Sequence, residues 1–183
     1  MIIKDGAGTG KSLKINAENR ADVDAVSRSI TQHVNEVYQK HFSISFEAID
    51  PTGADDYFFY YKNTGTKNIH VTKTRFKTTV VGAVEIHHVT GTASTVTDVA
   101  PVNRYVGSAE AVPASTGTSV NFTGLTVAGV LNRLQLSTAN VDFVDDSPSH
   151  IIVPPGQAIA LMWDTSTGIL AGTIDMYEDQ GIV

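Results

Sequence analysis

Tyr57-Phe58-Phe59-Tyr60-Tyr61-Lys62-Asn63-Thr64-Gly65, followed by Ile69-His70-Val71-Thr72-Lys73-Thr74-Arg75-Phe76-Lys77-Thr78-Thr79, is the stretch that decides the fold. Two runs of aromatic and β-branched residues, broken by an Asn-Thr-Gly turn signal, describe strands rather than helices, because such side chains suit a pleated, half-buried surface. Lys73, Arg75 and Lys77 recur two apart, which puts three cations on one face of the second strand.

The same signature continues outward. Val80 to Val89, Leu125 to Leu136, Ile151 to Val153, Ala158 to Asp164 and Ile169 to Tyr177 are short runs separated by Gly, Pro, Ser and Asn. Upstream, Phe42, Ile44 and Phe46 alternate with Ser43, Ser45 and Glu47 and stop at Asp50-Pro51-Thr52-Gly53. Several short strands with turns between them predict an all-β, antiparallel β-sandwich, jelly-roll-like, with roughly eight strands. The expected core is Phe42, Ile44, Phe46, Phe59, Val71, Val127, Leu131, Ile159, Leu161 and Ile174.

The N-terminal part reads differently. Residues 1–16 form an expected flexible arm and first strand, since a Gly-rich opening gives way to the alternation of Leu13, Ile15 and Ala17. From Asn19 to Lys40 apolar residues fall at helical spacings although several are β-branched. One short helix is expected near residues 29–40, and Arg20 to Arg28 fits neither period. Residues 17–183 then make a single β-sandwich domain, with a long Pro- and Thr-rich loop at about 91–119. Long loops in compact domains often carry function.

Composition narrows the function. The chain has 183 residues, 42% hydrophobic and 17% charged, with a net charge of −6 and no cysteine. That length supports a core without metal or disulfide. An acidic total disfavours nucleic acid as a partner, because duplex binding needs a basic footprint. The opening lacks the apolar stretch of a signal peptide and no run is long enough to span a bilayer, so neither membrane nor Sec export is expected. Charge is polarised along the chain: Tyr57 to Val84 contains no acid, whereas everything after Arg133 lacks Lys and Arg. Opposed patches of this kind favour docking between subunits or onto a lattice, the alternative being two solvated faces.

Candidate chemistry is sparse. Gly6-Ala7-Gly8-Thr9-Gly10-Lys11-Ser12 resembles a phosphate-binding loop, but Asp5 stands where the first glycine belongs, and the residues after Ser12 alternate as a strand where a helix should begin. His87 and His88 point to opposite faces of a strand and cannot share an ion. Asp142, Asp145 and Asp146 resemble calcium ligands, but lack the glycine and terminal glutamate of an EF-hand loop and read as a solvated turn. No Gly-x-Ser-x-Gly elbow occurs, so no catalytic residue, cofactor or metal is expected. The aromatics Tyr57 to Tyr61 and Trp163 read as core or interface residues before a sugar platform.

Four pieces together resemble the capsid decoration, or cement, proteins of tailed bacteriophages. They are Gly8-Thr9-Gly10-Lys11-Ser12-Leu13-Lys14-Ile15-Asn16-Ala17-Glu18-Asn19-Arg20, the strand pair Tyr60 to Gly65 with Ile69-His70-Val71, the turn Thr97-Asp98-Val99-Ala100-Pro101-Val102-Asn103-Arg104 leading to Gly107-Ser108, and Ile151-Ile152-Val153-Pro154-Pro155-Gly156-Gln157. The resemblance implies a jelly roll on the outer surface of a phage head, made in the host cytoplasm. It further implies a homodimer or homotrimer with the major capsid protein as partner, and neither enzymatic activity nor cofactor. On this reading Lys11, Lys14 and Arg20 on the arm, Lys73, Arg75 and Lys77 on the stripe, and Pro101, Asn103 and Arg104 in the long loop form the capsid or subunit interface. A tail or receptor-binding component that grips cell-surface glycan is the alternative, and a small hydrolase a third.

Overall fold

The computed structural model describes the backbone at residues 3–4 and 12–13, and residues 29–94, 96–146 and 151–180. Strand β1 (Ile3–Lys4) pairs antiparallel with β2 (Ser12–Leu13). Helix α1 (Ile30–His33) opens at Ser29, whose hydroxyl accepts from the Gln32 amide, and runs on as a π-helical turn over Val34–Tyr38 that ends where Gln39 turns left-handed. A polar N-cap and a left-handed residue after the last turn are the ordinary boundaries of a short helix.

Twelve strands follow among the described residues: β3 (His41–Ile49), β4 (Asp56–Asn63), β5 (Ile69–Thr78), β6 (Gly82–Gly91), β7 (Thr97–Asp98), β8 (Val102–Asn103), β9 (Ala114–Thr118), β10 (Leu125–Leu136), β11 (Phe143–Asp145), β12 (Ile151–Val153), β13 (Ala158–Trp163) and β14 (Leu170–Glu178). They form two antiparallel sheets. One has the order β10-β6-β13-β4-β9-β7, and the other β11-β5-β14-β3-β8 with β12 also pairing β5. The chain changes sheet at each step from β3 to β6, and from β10 it passes to β11 and β12 in the other sheet, back to β13 and over again to β14. Among consecutive long strands only β6 and β10, joined through the intervening excursion, pair directly with each other. That order, β3-β14-β5-β12 facing β4-β13-β6-β10, is a jelly roll. The two aromatic and β-branched runs that open the reading therefore do not pair with each other, because β4 and β5 lie in opposite sheets.

Inward residues alternate as a sandwich requires. Phe42, Ile44 and Phe46 from β3, Phe59 and Tyr61 from β4, Ile159, Leu161 and Trp163 from β13, and Ile174 and Met176 from β14 fill one core. Two expected core residues are corrected: Val127 is 47% and Leu131 48% exposed. Both lie on β10, an edge strand whose pairing with β6 shifts register between Val127 and Gly129 and again between Val130 and Asn132. Each such bulge resets which face a side chain takes, so only Leu134 and Leu136 reach the core.

The expected loop at 91–119 is also partly corrected. It contains three strands: β8 adds to the edge strand β3, and β9 to the edge strand β4, so both sheets are extended on the same side. Exposed backbone donors and acceptors at those edges thereby find partners. The segment also contributes Ala93, which packs with Phe122 and Leu125 over Tyr60, Val89, Ala158 and Ala160 in a second apolar cluster. By strand alternation that cluster lies on the outer face of the β4 sheet, which explains why β4 is buried along nearly its whole length.

Replacing Leu161, which is 1% exposed, with Ala should cost about 2–5 kcal/mol, the range for a core leucine whose cavity does not collapse. Leu131→Ala should cost less than about 1 kcal/mol, as at other half-exposed positions. Urea unfolding of the two variants checks the correction, and equal losses would return β10 to the core.

Candidate functional site

The outer face of the sheet β11-β5-β14-β3 carries the polar residues that sequence reading singled out. A bulge makes this possible. Asp175 of β14 pairs with Lys73 and Met176 with Val71, so Thr72 is the extra residue, its hydroxyl donating to the Asp175 carbonyl oxygen at 3.3 Å. Before the bulge Ile69 and Val71 point inward; after it Thr74, Phe76 and Thr78 do, which leaves Lys73, Arg75 and Lys77 facing out.

Register then fixes their neighbours. Ser45, Thr173 and Arg75 form one row across three strands, and Ser43, Asp175 and Lys73 the next. These six, with Arg104 from just beyond β8, line an open depression of about 430 Å³. Asp175 is the buried anchor of the site, its side chain 12% exposed. One of its oxygens accepts from the Ser43 hydroxyl, and the other lies 2.8 Å from Arg104 Nη1. Ser45 and Thr173 hydroxyls bond each other at 3.1 Å. Lys73 Nζ lies 2.9 Å from Asp146 at the rim. Arg75 and Lys77 have no acidic partner within 4 Å among the described residues, while on the core side of the same strand Gly172 leaves room for two rings, since a Cβ there would sit 2.7 Å from Phe46 Cζ and 2.8 Å from Phe76 Cδ1. A second depression of about 260 Å³ adjoins the first through Ser45, Arg75 and Thr173 and contains Lys77.

The charge polarity of the sequence folds onto itself. Besides Lys73 with Asp146 and Arg104 with Asp175, Lys67 approaches Glu178 at 3.9 Å and Arg133 contacts Asp164 at 2.9 Å. The expectation of two opposed patches is therefore corrected: β14 lies beside β5, so late acids neutralise early bases and leave Arg75 and Lys77 without an ion pair among the described residues, in a depression that Glu47 and Asp142 also line.

Of the expected interface residues, Lys73, Arg75, Lys77 and Arg104 converge on this face. Lys11, Lys14 and Arg20 lie outside the described residues. Asn103 is a local staple: its amide nitrogen donates to the carbonyl oxygens of Gln39 and Glu110, at 2.7 and 3.2 Å, and its oxygen accepts from the Tyr105 amide. Pro101 is half-buried at the start of β8. Ser43, Ser45, Thr173 and Asp175 were missed as site residues. Their alternation marked them as outward-facing, but which strands stand side by side is a long-range property.

The opposite sheet holds the other cluster of titratable groups. His87, 4% exposed, has Nδ1 at 2.8 Å from the Tyr57 hydroxyl and Nε2 at 2.8 Å from Glu85, whose other oxygen meets Arg133. An ionised carboxylate only accepts, so Nε2 carries the proton. The hydrogen bond from His87 foremost, with Arg133 helping against the cost of burial, holds the Glu85 carboxyl below its ordinary value. Burial and then the charges of Glu85 and Asp55 push the Tyr57 hydroxyl up, the wrong direction for a nucleophile. The cluster ties β4, β6 and β10 together. His88 instead meets Gln157 at 2.9 Å. Trp163 and Phe58 to Tyr61 are buried and offer no stacking surface. Ser12 lies in the strand pair with Ile3–Lys4, where a phosphate loop would open a helix. No three His, Asp or Glu side chains converge as metal ligands among the described residues.

Two measurements follow from these groups. Because Glu85 titrates lower in the folded than in the unfolded chain, its contribution is present above the ordinary carboxylate value of 4.5 and is lost as pH falls through the lowered folded value. Wild type should therefore be more stable than Glu85→Gln at neutral pH, with the gap closing on acidification, as followed by thermal melting. His41 acts in the same direction at higher pH: burial first, then Arg104, lowers it from 6.5 against the pull of Asp175, so the unfolded chain takes up the proton first and stability drops as pH falls below 6.5. His41→Asn should flatten that part of the stability profile.

Comparison of the chain with protein-family models, with curated proteins and with solved structures finds no match in any of the three.

Proposed function

We propose that this chain is a structural virion protein that binds the outer surface of a phage head and stabilises it by bridging neighbouring capsid subunits. The observation that carries the reading is the outer face of the β5 sheet, where Lys73, Arg75 and Lys77 stand at a regular two-residue spacing on a ladder with Arg104 beside them. A rigid sheet presents such groups at fixed spacing, so an acidic capsid surface meets them in one register, and complementary potentials suppress wrong docking. The resemblance of the four sequence pieces to decoration proteins supports the same partner, as does a jelly roll with an open, unenclosed site. As a homodimer or homotrimer the protein would multiply modest single contacts through effective concentration, and by binding only the assembled lattice it would stabilise that lattice through mass action.

A second reading has one observation behind it. The hydroxyls of Ser43, Ser45 and Thr173 beside Asp175 in the same depression suit a polyol, which favours a tail component that grips a glycan.

Counting copies relative to the major capsid protein in purified particles separates the two. Near parity, or a simple fraction of it, is expected for head decoration; a handful of copies would move the protein to the tail, and absence from particles would end both readings. Charge reversal of Lys73, Arg75 and Lys77 to Glu should weaken uptake onto heads stripped of this protein and reduce its salt sensitivity. Unchanged uptake between low and high salt would leave the stripe an ordinary solvated face.

A further inference from the structure

We infer that the depression around Arg75 is a receptor for a single carboxylate, and that the docking partner inserts an Asp or Glu side chain from an acidic loop into it. The inference rests on the proposed function for the source of the carboxylate, and on the geometry for the chemistry.

Three kinds of donor converge there. Arg75 stands in the row with Thr173 and Ser45, and its planar fork has no acidic partner among the described residues. A guanidinium in that position offers two parallel N–H groups, matching a carboxylate edge-on. The Ser45 and Thr173 hydroxyls bond each other, and such a pair consumes only one of its two hydrogens, leaving one O–H to donate onward. Lys73 is two residues from Arg75 on the same face and supplies an ammonium at the side.

Charge balance selects the ligand. The cavity has three cations and one carboxylate on its walls, Lys73, Arg75 and Arg104 against Asp175. Asp175 already engages Arg104, and Asp146 at the rim engages Lys73, so Arg75 is the cation of this cavity left without an ion pair among the described residues, Glu47 and Asp142 lying in the adjoining depression with Lys77 and making none with it. One monoanion neutralises it. A dianionic phosphate would face the Asp175 and Asp146 carboxylates with its second charge unmatched, and a like charge at close range disfavours binding. Asp175 also has a positioning part, since by holding Arg104 and Ser43 it keeps the wall in place.

The test is a titration of the isotope-labelled protein, followed by amide resonances, with a hexaglutamate peptide, with a hexaglutamine peptide and with inorganic phosphate. Hexaglutamate should shift the amides of Ser45, Arg75 and Thr173 together, and hexaglutamine should not. Arg75→Gln should weaken binding at least about tenfold, the loss expected for a charge-assisted pair. Arg75→Lys should weaken it about threefold or more although charge is kept, because the fork is lost. Arg75 is exposed, so both variants should melt as wild type does. Arg75→Lys binding as well as wild type, shifts spread over the whole face, or phosphate displacing the peptide would each overturn the inference. Uptake onto heads is scored separately. If heads distinguish Arg75→Gln from wild type while hexaglutamate does not bind, the carboxylate receptor falls and head docking stands. If heads take up both alike while the peptide result holds, the receptor stands and the docking surface falls.

Discussion

Strand β14 inserts between β3 and β5 and bonds to both along its length, from Leu170, which faces Ile49 and Thr78, to Tyr177, which faces His41 and His70. The rest of the structure hangs on that insertion. It seals the middle of one sheet, sends Leu170, Ile174 and Met176 into the core, and places Thr173 and Asp175 on the outer face between the serines of β3 and the cations of β5. The bulge at Thr72 is part of the same ladder, and without it the two halves of β5 could not both bury their apolar residues while Lys73, Arg75 and Lys77 point outward.

What was legible in the sequence follows from locality. Alternation belongs to a strand by itself, so β3, β5, β12 and β13 could be read to within a residue or two, as could the common face of Lys73, Arg75 and Lys77. Pairing belongs to two strands, so neither the place of β14 nor the meeting of Asp175 with Arg104 could be read. Val127 and Leu131 misled because a run of apolar residues looks the same in a central strand and in a bulged edge strand. The 91–119 stretch misled in the opposite direction. Ala114–Thr118 has no apolar alternation because the positions it buries are Thr116, Gly117 and Thr118, so the strand is marked by its pairing with β4 and β7 and not by its hydropathy.

The charge pattern carries a related lesson. Bases early and acids late look like the makings of two faces, but an antiparallel sandwich interleaves distant parts of the chain, and four late carboxylates end beside earlier cations. Most of those pairs are at or near the surface, where each contributes at most about 1 kcal/mol. Their more useful effect is subtraction. By neutralising their partners they leave two cations on this face without an ion pair among the described residues, Arg75 and Lys77, rather than a broad basic field.

The strand order also governs how the molecule is made. Consecutive long strands pair only once, so nearly every ladder closes a long loop of chain, and topologies of this sort fold in about milliseconds to seconds rather than microseconds. β14 is the last strand of the sandwich to leave the ribosome, and until it arrives β3 and β5 each present an unpaired edge facing an open core. Folding of the sandwich therefore waits for β14, and until it is in place the partly formed sandwich is open to wrong pairing with other copies.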